Sequence, residues 1–374
     1  MLRAAGLIPS SLSREQGRTV RALLACRTAA LGGHVDACQH CGHIAVSYNS
    51  CRNRHCPKCQ ASQTAAWLES ERAHLLPVPY THVVFTLPQP LAPLALQNSR
   101  VLYALLFRAV AETLLEIARD PRHLGAEIGF LAILHTWGQT LTHHPHLHCL
   151  VPAGGLSADG TRWIACRPGF FLPVRVLSSR FRTRFLAGLL QLFEEGRLHV
   201  HGGLADLARP PVFGRLLQDL RRQDWVVYAK PPFGGPETLL QYLARYIHRV
   251  AISNARLLSL ENSDVRFAWT DYRHAHRTRT MTLSVHEFAR RFLLHVLPAR
   301  FVRIRRYGLL ANARGPERLK RCRQLLGAPA APGRSDPAID VPDAPQASAG
   351  TATSCPICGV GFLLRRVIPP PDSS

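Results

Sequence analysis

Two histidines two residues apart form the part of this sequence with the clearest chemical potential. His146, Leu147 and His148 lie in the run from Phe130 to Pro152, which is otherwise largely apolar. On a β-strand, residues two apart point to the same face, so His146 and His148 would present two imidazoles side by side. Leu147 would then turn the other way, into a core. Imidazole is a common metal ligand but also an ordinary strand residue, so the pair alone is half of a metal site.

A third histidine could complete this site from a neighbouring strand. Residues 128–137 are a second strand-like run, and the polar segment 138–144 could turn the chain back. The resulting antiparallel hairpin would bring His135 opposite His146. A divalent ion with open positions, held by three histidines, would polarise a phosphoryl or carbonyl oxygen as a Lewis acid.

Four of the eleven cysteines have the spacing of a zinc module. Cys38 and Cys41 form one C-x2-C pair, and Cys56 and Cys59 form a second pair after fourteen intervening residues. Two such pairs can close a tetrahedral structural zinc site. We therefore predict that one Zn²⁺ is bound by all four, and that its role is architectural because a closed site leaves no position for substrate. A swapped ligand or a second ion stays open as an alternative, because the same region also contains His34, His40, His43, Cys51 and His55.

The charge of the chain indicates a phosphate-rich partner. Its net charge is +22, from 46 basic against 24 acidic residues, and arginines cluster between residues 290 and 306. Such a balance is typical of nucleic-acid binding, so we predict DNA as the partner and no small-molecule substrate. On the zinc module, the residues predicted to contact phosphates are Arg52, Arg54 and Lys58. The aromatic candidates for stacking on bases are Trp137, Trp269 and Tyr272, each of which fits a core position equally well.

A pair of tyrosines lies on a predicted helix from Glu237 to Arg249. Tyr242 and Tyr246 are four residues apart and so share one face, at the boundary between an apolar stripe and Arg245 and Arg249. Tyrosines at such a boundary are also ordinary packing. Arginines and a metal-bound phosphate, however, can stabilise a phenolate. The chemistry that combines these parts is attack on a DNA phosphodiester, which leaves a 5′-phosphotyrosine and a free 3′-hydroxyl.

The order of predicted elements indicates an α+β fold. A strand at 81–87, a helical stretch at 91–118, the histidine hairpin, a helix at 178–197 and a strand at 225–230 follow one another. Strand, helix, strand, strand, helix, strand is the order of a ferredoxin-like split antiparallel sheet with flanking helices. The histidine pair would lie on an inner strand, and a small zinc-binding module would precede the sheet.

We predict four segments along the chain. They are a helix with the zinc module, a catalytic domain carrying the tyrosine helix, a flexible linker and a short tail, at residues 1–76, 77–325, 326–354 and 355–374. Cys355 and Cys358 in the tail form half a zinc knuckle without an obvious partner pair. The sequence has no secretion signal and no uncharged apolar run of about 18 residues. We therefore expect no membrane partner and a location in the bacterial cytoplasm, at the nucleoid when bound to DNA.

The sequence resembles the transposases of the IS91 group, including the IS801 and IS1294 types, which are HUH enzymes with two tyrosines. The likeness extends over residues 25–325 and rests on four motifs, at residues 38–60, 135–155, 242–254 and 287–312. By this resemblance, His146 and His148 are the HUH ligands of a catalytic Mg²⁺ or Mn²⁺. His135 is the expected third ligand, with Gln139 and His144 as alternatives.

The resemblance also implies a function. Tyr242 and Tyr246 would be paired nucleophiles in rolling-circle-like movement of a mobile element, with single-stranded DNA intermediates and recognition of the element's ends. Two alternatives stay open from the residues themselves. A replication initiator or relaxase would share the chemistry, and a non-catalytic zinc-dependent DNA-binding protein would explain the charge and the cysteines but not the histidine and tyrosine pairs.

Overall fold

The structure, a computed structural model, describes most of the chain. The described residues are 12–72, 74–231, 235, 238, 251–272, 274, 277–311, 315–327 and 353–371. The predicted nucleophiles Tyr242 and Tyr246, and the neighbouring Arg245 and Arg249, lie outside them. Within the described part, none of the helices combines the length and the apolar character needed to cross a bilayer.

The N-terminal region contains two helices and a hairpin. The first helix begins with a capping box, in which the Ser13 hydroxyl accepts from the Gln16 backbone and the Gln16 side chain accepts from the Ser13 backbone. Such caps satisfy amide groups that a helix start leaves unpaired. In chain order the elements are α1 (Arg14–Ala25), β1 (Gly33–Cys38), β2 (Ile44–Tyr48) and α2 (Gln60–Arg72).

The middle of the chain alternates strands with long helices. Its elements are β3 (Tyr80–Thr86), α3 (Ala92–Gln97), α4 (Ser99–Arg119), β4 (Gly129–Trp137), β5 (His143–Pro152), β6 (Gly154–Leu156), β7 (Trp163–Ala165), α5 (Val174–Glu194), α6 (Pro210–Arg222) and β8 (Val227–Ala229). The last part adds β9 (Leu257–Glu261), β10 (Asp264–Asp271), β11 (Arg277–Ser284), α7 (Val285–Leu293), β12 (Ile304–Gly308), α8 (Gly315–Leu325) and β13 (Leu363–Ile368).

A five-stranded antiparallel sheet forms the centre of the fold. Its spatial order is β12, β4, β5, β3, β8. Without β12, this is the order of a ferredoxin-like split sheet, in which α4 connects β3 to β4 and α5 lies between β5 and β8. The predicted α+β fold is therefore confirmed, and β5, which carries the histidine pair, is an inner strand as expected.

The two faces of this sheet have different neighbours. One face packs under α4 and α5 in a large apolar core, where Phe85 of β3 meets Phe181 of α5 with ring centroids 5.2 Å apart. Leu147 is 0% exposed and belongs to this core, as its position between the two histidines predicts. The other face carries a smaller apolar cluster with α2 and α8, which includes Leu131 and Leu150. The histidines share this second face.

A second antiparallel sheet lies beside the histidine strands. It has the order β11, β10, β9 and forms a separate apolar cluster with α1 and α7. Leu141, in the turn between β4 and β5, is fully buried in this cluster. The turn that joins the two histidine strands is therefore anchored in the second sheet.

The C-terminal residues do not form the separate tail that the sequence suggests. β13 pairs with β1 in the antiparallel sheet β13-β1-β2, with Gly33 opposite Ile368 and Cys38 opposite Leu363. The described C-terminal segment is thus the third strand of the N-terminal module. The sequence of a short, exposed hairpin does not indicate that a strand far away in the chain will pair with its edge.

We expect Leu147→Ala to lower the free energy of unfolding by about 2–5 kcal/mol, because it removes a fully buried side chain from the core between the central sheet and helices α4 and α5. Urea unfolding followed by tryptophan fluorescence would measure the change. The control is Leu258→Ala, at a leucine that is 55% exposed, which should change stability by less than about 0.5 kcal/mol. A loss as small as the control's at position 147 would contradict the assignment of this residue to the core.

Candidate functional site

Three histidines from two adjacent strands meet on one face of the central sheet. His135 of β4 lies directly opposite His146 of β5, which confirms the pairing expected from the sequence. Each of His135, His146 and His148 places a ring nitrogen within 4.8 Å of the other two. The ring centroids of His135 and His148 are 4.3 Å apart, and those of His146 and His148 are 4.9 Å apart. The geometry suits one ion held by three imidazoles, because the ligand atoms converge on one point.

Neighbouring groups orient two of the three rings. Nδ1 of His146 lies 2.7 Å from the carbonyl oxygen of His144, to which its N–H donates. Nδ1 of His148 lies 2.7 Å from Nε2 of His82, and the two rings are parallel to within 1°. The nitrogen that would bind a metal is then Nε2 in both His146 and His148. Partners of this kind fix the tautomer and the orientation of metal-binding imidazoles.

His82 is a member of the site that the sequence did not predict. It lies on β3, opposite Leu150 of β5 and therefore on the same face as the three histidines. Its only signal in the sequence is a polar side chain within an apolar strand, which by itself distinguishes neither a ligand nor a structural residue. Contact with His148 becomes visible only when β3 and β5 are paired.

Burial keeps the imidazoles of His82, His146 and His148 neutral. Desolvation lowers the pKa of His146 to about 4, with the nearby His144 and His82 adding to the effect against the carbonyl of His144, which raises it. It lowers the pKa of His82 to about 4, assisted by Lys230, and that of His148 well below its usual range. At neutral pH the rings therefore carry lone pairs, and neutral imidazole is the form that binds metal ions.

The histidines open into a cleft between the two sheets. All three aromatic residues predicted to stack on bases, Trp137, Trp269 and Tyr272, line this cleft. Trp137 stacks on His135 with centroids 4.5 Å apart and an angle of 19° between the rings. Tyr272 is 60% exposed, so one of its faces can be reached from solvent. The cleft thus combines a candidate metal centre with aromatic surfaces.

The predicted alternatives to His135 have other positions. The ring of His144 does not belong to the group of converging nitrogens. The side chain of Gln139 donates from Nε2 to the hydroxyl of Tyr272 at 3.2 Å and accepts from the backbone of Thr270 at 3.4 Å. Gln139 therefore links the β4–β5 turn to β10, while His135 supplies the third nitrogen of the cluster.

The predicted single zinc site at Cys38, Cys41, Cys56 and Cys59 was wrong, because the structure divides these cysteines between two clusters. The first cluster combines Cys56 and Cys59 with Cys26, just after α1, and Cys51. Its sulfur atoms are 3.4 Å apart between Cys26 and Cys59, 3.5 Å between Cys26 and Cys56, and 3.6 Å between Cys51 and Cys59. Tetrahedral ligands at 2.3 Å from zinc would be about 3.8 Å apart, so this arrangement fits one ion.

The second cluster brings Cys38 and Cys41 together with Cys355 and Cys358. The pair that the sequence left without a partner therefore has one. The spacing of a C-x2-C pair fixes the local turn that aims two thiols at a common point, but the choice of partner pair depends on tertiary structure. Backbone N–H groups of Gly361 and Val360 lower the pKa of the Cys358 thiol to about 6, against a smaller effect of burial.

The basic residues predicted on the zinc module are not equivalent. Arg52 and Lys58 are exposed. Arg54 is half-buried, and its Nη1 donates to the carbonyl oxygen of Phe301 at 3.0 Å. Arg54 therefore holds the module against the segment before β12, which a surface contact to phosphate would not require.

The arginine cluster of residues 290–306 also has structural roles. Arg290 and Arg291 both donate to Glu287, Arg306 pairs with Glu71 of α2, and Arg303 is buried. A run of arginines in the sequence gives no indication of these partners. Fewer of these arginines are therefore available to contact DNA than their clustering in the sequence suggests.

We expect His82→Ala to weaken the binding of Mn²⁺ at the histidine cluster about 10- to 100-fold, since the ring that orients His148 is lost. Isothermal titration calorimetry would measure the affinity, and His82→Gln, which can still hydrogen-bond, should lose less. His201→Ala, at an exposed histidine, is the matched control. An unchanged affinity in His82→Ala would show that His148 does not depend on this partner.

Comparisons with known proteins agree with this combination of features. The family model described as "Putative transposase" (Y2_Tnp) matches residues 129–317, which include the three converging histidines. A second model, described as "Transposase zinc-binding domain" (Zn_Tnp_IS91), matches residues 3–87, which include the whole first cysteine cluster. No solved structure is significantly similar to the chain.

Two curated relatives are similar over most of their length. A protein of Sinorhizobium fredii named "Putative transposase y4qJ" is 55% identical over 357 residues, which cover 95% of this chain and 90% of the relative. The "Transposase for insertion sequence element IS801" of Pseudomonas savastanoi pv. phaseolicola is 32% identical over 309 residues, which cover 79% of this chain and 70% of the relative. The chain belongs to the IS91 family of insertion-sequence transposases.

Proposed function

We propose that this transposase cuts and rejoins single-stranded DNA ends of its mobile element by tyrosine attack, through a 5′-phosphotyrosine intermediate and rolling-circle-like transposition. The observation that carries the proposal is the convergence of His135, His146 and His148 at the base of an aromatic-lined cleft. Zinc-dependent DNA binding alone would not require three imidazoles to converge in a cleft that is separate from both cysteine clusters.

The histidine cluster is proposed as the site of a divalent ion, Mg²⁺ or Mn²⁺. All three donors come from paired strands, and burial and hydrogen bonds keep His146 and His148 neutral and oriented, as a metal site requires. A bound ion would supply Lewis-acid polarisation of a phosphoryl oxygen at the scissile phosphate. His135, His146 and His148 would hold the ion, and Trp137 covers one face of His135.

Tyr242 and Tyr246 are the proposed nucleophiles. Ala251, five residues after Tyr246, lines the histidine cleft. The segment that leads into a cleft residue thus carries the tyrosine pair in its sequence, which supports this assignment. Arg245 and Arg249, in the same stretch, are proposed to contact the DNA phosphates and to stabilise negative charge on the phenolate and the phosphoryl group.

The proposed reaction conserves the energy of the phosphodiester. The phenol loses its proton, its oxygen attacks phosphorus, and the bond to the 3′-oxygen breaks, which gives a 5′-phosphotyrosine and a 3′-hydroxyl. The second tyrosine cuts at the other end of the element. The 3′-hydroxyl freed by that cut attacks the first phosphotyrosine, releases the tyrosine and rejoins the strands. No nucleotide cofactor is needed, because the covalent link keeps the bond energy.

Single-stranded DNA is the proposed substrate because its bases can reach aromatic side chains. Trp269 and Tyr272 lie on the cleft wall formed by the second sheet and the turn that follows β10. Stacking on such residues is tolerant of sequence. Arg52 and Lys58 on the zinc module remain the proposed phosphate contacts outside the cleft, with a smaller part for Arg54.

The first cysteine cluster is the proposed structural Zn²⁺ site of the matched zinc-binding domain. Its four thiols converge, and three of them are buried. A site closed by four thiolates leaves no position for substrate, so this ion holds the module in shape. Since the substrate is DNA, the proposed place of action is the cytoplasm, at the nucleoid.

We expect end-labelled single-stranded DNA from the element's terminus to form a covalent protein adduct with Mn²⁺ or Mg²⁺, and not with EDTA. A denaturing gel would show it. Because either tyrosine can make a first cut, Tyr242→Phe and Tyr246→Phe should each still form an adduct but block transfer between two ends. The double variant should form none.

His146→Ala tests in the same experiment whether the adduct depends on the histidine cluster. It should lower adduct formation on the order of 10²-fold or more, because charge stabilisation worth several kcal/mol is lost, while DNA binding is retained. Tight binding with no adduct under any metal would favour a non-catalytic zinc-dependent DNA-binding protein. Cleavage without any transfer between two ends would favour an initiator or relaxase activity.

We expect Tyr272→Ala to weaken binding of single-stranded DNA about 5- to 150-fold, since stacking contributes roughly 1–3 kcal/mol per base. Fluorescence anisotropy would measure the affinity, and Tyr272→Phe should retain most of it. Tyr228→Ala, at a tyrosine of β8 that is 54% exposed and does not line the cleft, is the control. Equal affinities for Tyr272→Ala and the control would exclude this residue from the DNA path.

A further inference from the structure

We propose that Cys38, Cys41, Cys355 and Cys358 form a second structural zinc site, which fastens the C-terminal strand to the N-terminal module. The family model for the zinc-binding domain ends at residue 87, and the transposase model ends at residue 317. Half of the ligands of this site therefore lie outside both matched regions. The proposal is independent of the DNA chemistry.

The distances between sulfur atoms fit a shared ion. Sγ of Cys38 is 3.8 Å from Sγ of Cys358, and Sγ of Cys41 is 3.7 Å from Sγ of Cys355. All four sulfur atoms lie within 4.8 Å of one another. Four thiolates at 2.3 Å from zinc would be about 3.8 Å apart, whereas a disulfide needs about 2.05 Å. The cluster therefore has the size of a tetrahedral zinc site.

The two C-x2-C turns of this cluster have the same conformation. Each is followed by a glycine in the left-handed region, Gly42 at φ 70° and Gly359 at φ 66°. Each glycine N–H donates to the carbonyl oxygen of the first cysteine of its pair, at 3.2 Å and 2.9 Å. The remaining pair, Cys56 and Cys59, is followed instead by Gln60, the first residue of α2. The sequence C-x2-C-G thus distinguishes the two matching turns from the third.

Backbone amides complete the surroundings of the sulfur atoms. The N–H groups of His40 and Cys41 approach Sγ of Cys38 at 3.4 Å and 3.5 Å, and the N–H of Gly361 approaches Sγ of Cys358 at 3.4 Å. Such donors favour the charged thiolate. A Cβ atom on Gly361 would lie 2.6 Å from Sγ of Cys38. Glycine at this position lets the two turns approach closely enough to share one ion.

Strand pairing brings the two turns together. β13 pairs with β1 along the whole of both strands. Asp36 of β1 is nearly buried, and Arg365 of β13 donates to both of its oxygens, at 2.7 Å and 3.0 Å. A two-oxygen contact of this kind adds geometric specificity. The C-terminal strand is therefore held by register and charge as well as by the proposed ion.

The zinc content of the purified full-length chain tests the proposal. Elemental analysis should find one zinc ion fewer per chain in the double variant Cys355→Ser, Cys358→Ser than in the unmodified protein. Cys26→Ser with Cys51→Ser should lose the other ion and keep this one. Cys166→Ser, at a half-buried cysteine outside both clusters, should lose none. An unchanged zinc content in the Cys355, Cys358 variant would overturn the proposal.

A second measurement uses the unmodified protein alone, in case the double variant does not fold. Cys41 is exposed and Cys358 is half-buried, so without an ion both should react with iodoacetamide. We expect mass spectrometry to show both protected in the zinc-loaded protein, together with Cys355, and all three labelled after chelation. Rapid labelling of Cys41 and Cys358 in the zinc-loaded protein would contradict a metal at this cluster.

Discussion

The register between β4 and β5 is the constraint on which the rest of the site depends. Side chains alternate along a strand, so a slip of one residue would move every side chain to the other face. Leu134 and Leu147 are paired across these strands and buried under the helices. Their next neighbours, His135 and His146, are therefore forced together on the opposite face. The apolar core thus sets the position of the imidazoles. The geometry of the histidine cluster depends on this packing rather than on contacts among the histidines.

The cleft depends equally on the second sheet. Leu141 has a φ of 61° and is fully buried, and His295, just after α7, lies 3.2 Å from its carbonyl oxygen. Arg256, just before β9, donates to the carbonyl oxygens of Gln139 and Ala268 at 2.5 Å and 2.7 Å. These contacts join the turn of the histidine hairpin to the wall of the cleft. The aromatic residues on that wall are consequently held in place relative to the imidazoles, as the proposed positioning of a DNA phosphate at the histidine cluster would require.

Local periodicity accounts for what could be predicted from the sequence. The split-sheet order and the opposition of His135 and His146 follow from alternation within short, contiguous runs. His82 could not be predicted, because it reaches His148 only across strands 66 residues apart in the chain. The cysteine partners were predicted wrongly for a similar reason, since the C-x2-C spacing alone does not indicate which pair will share an ion. Only the glycine after Cys41 and Cys358 distinguishes these two turns in the sequence. The sequence suggested too many exposed arginines at residues 290–306, because it does not show that Arg306 pairs with Glu71 of α2, 235 residues away. The sequence patterns therefore lacked information about which residues pair over long distances in the chain.

The pairing of β13 with β1 has a consequence for how the protein is made. Roughly 320 residues separate the two strands, so a ribosome adding about 5–20 residues per second needs about 15 to 65 s between them. During that interval β1 has an open edge, which is closed only when β13 pairs with it. A chain that stops before residue 363 would lack the third strand of this sheet. The sheet of the N-terminal module can therefore be completed only after the region that matches the transposase family model has been synthesised.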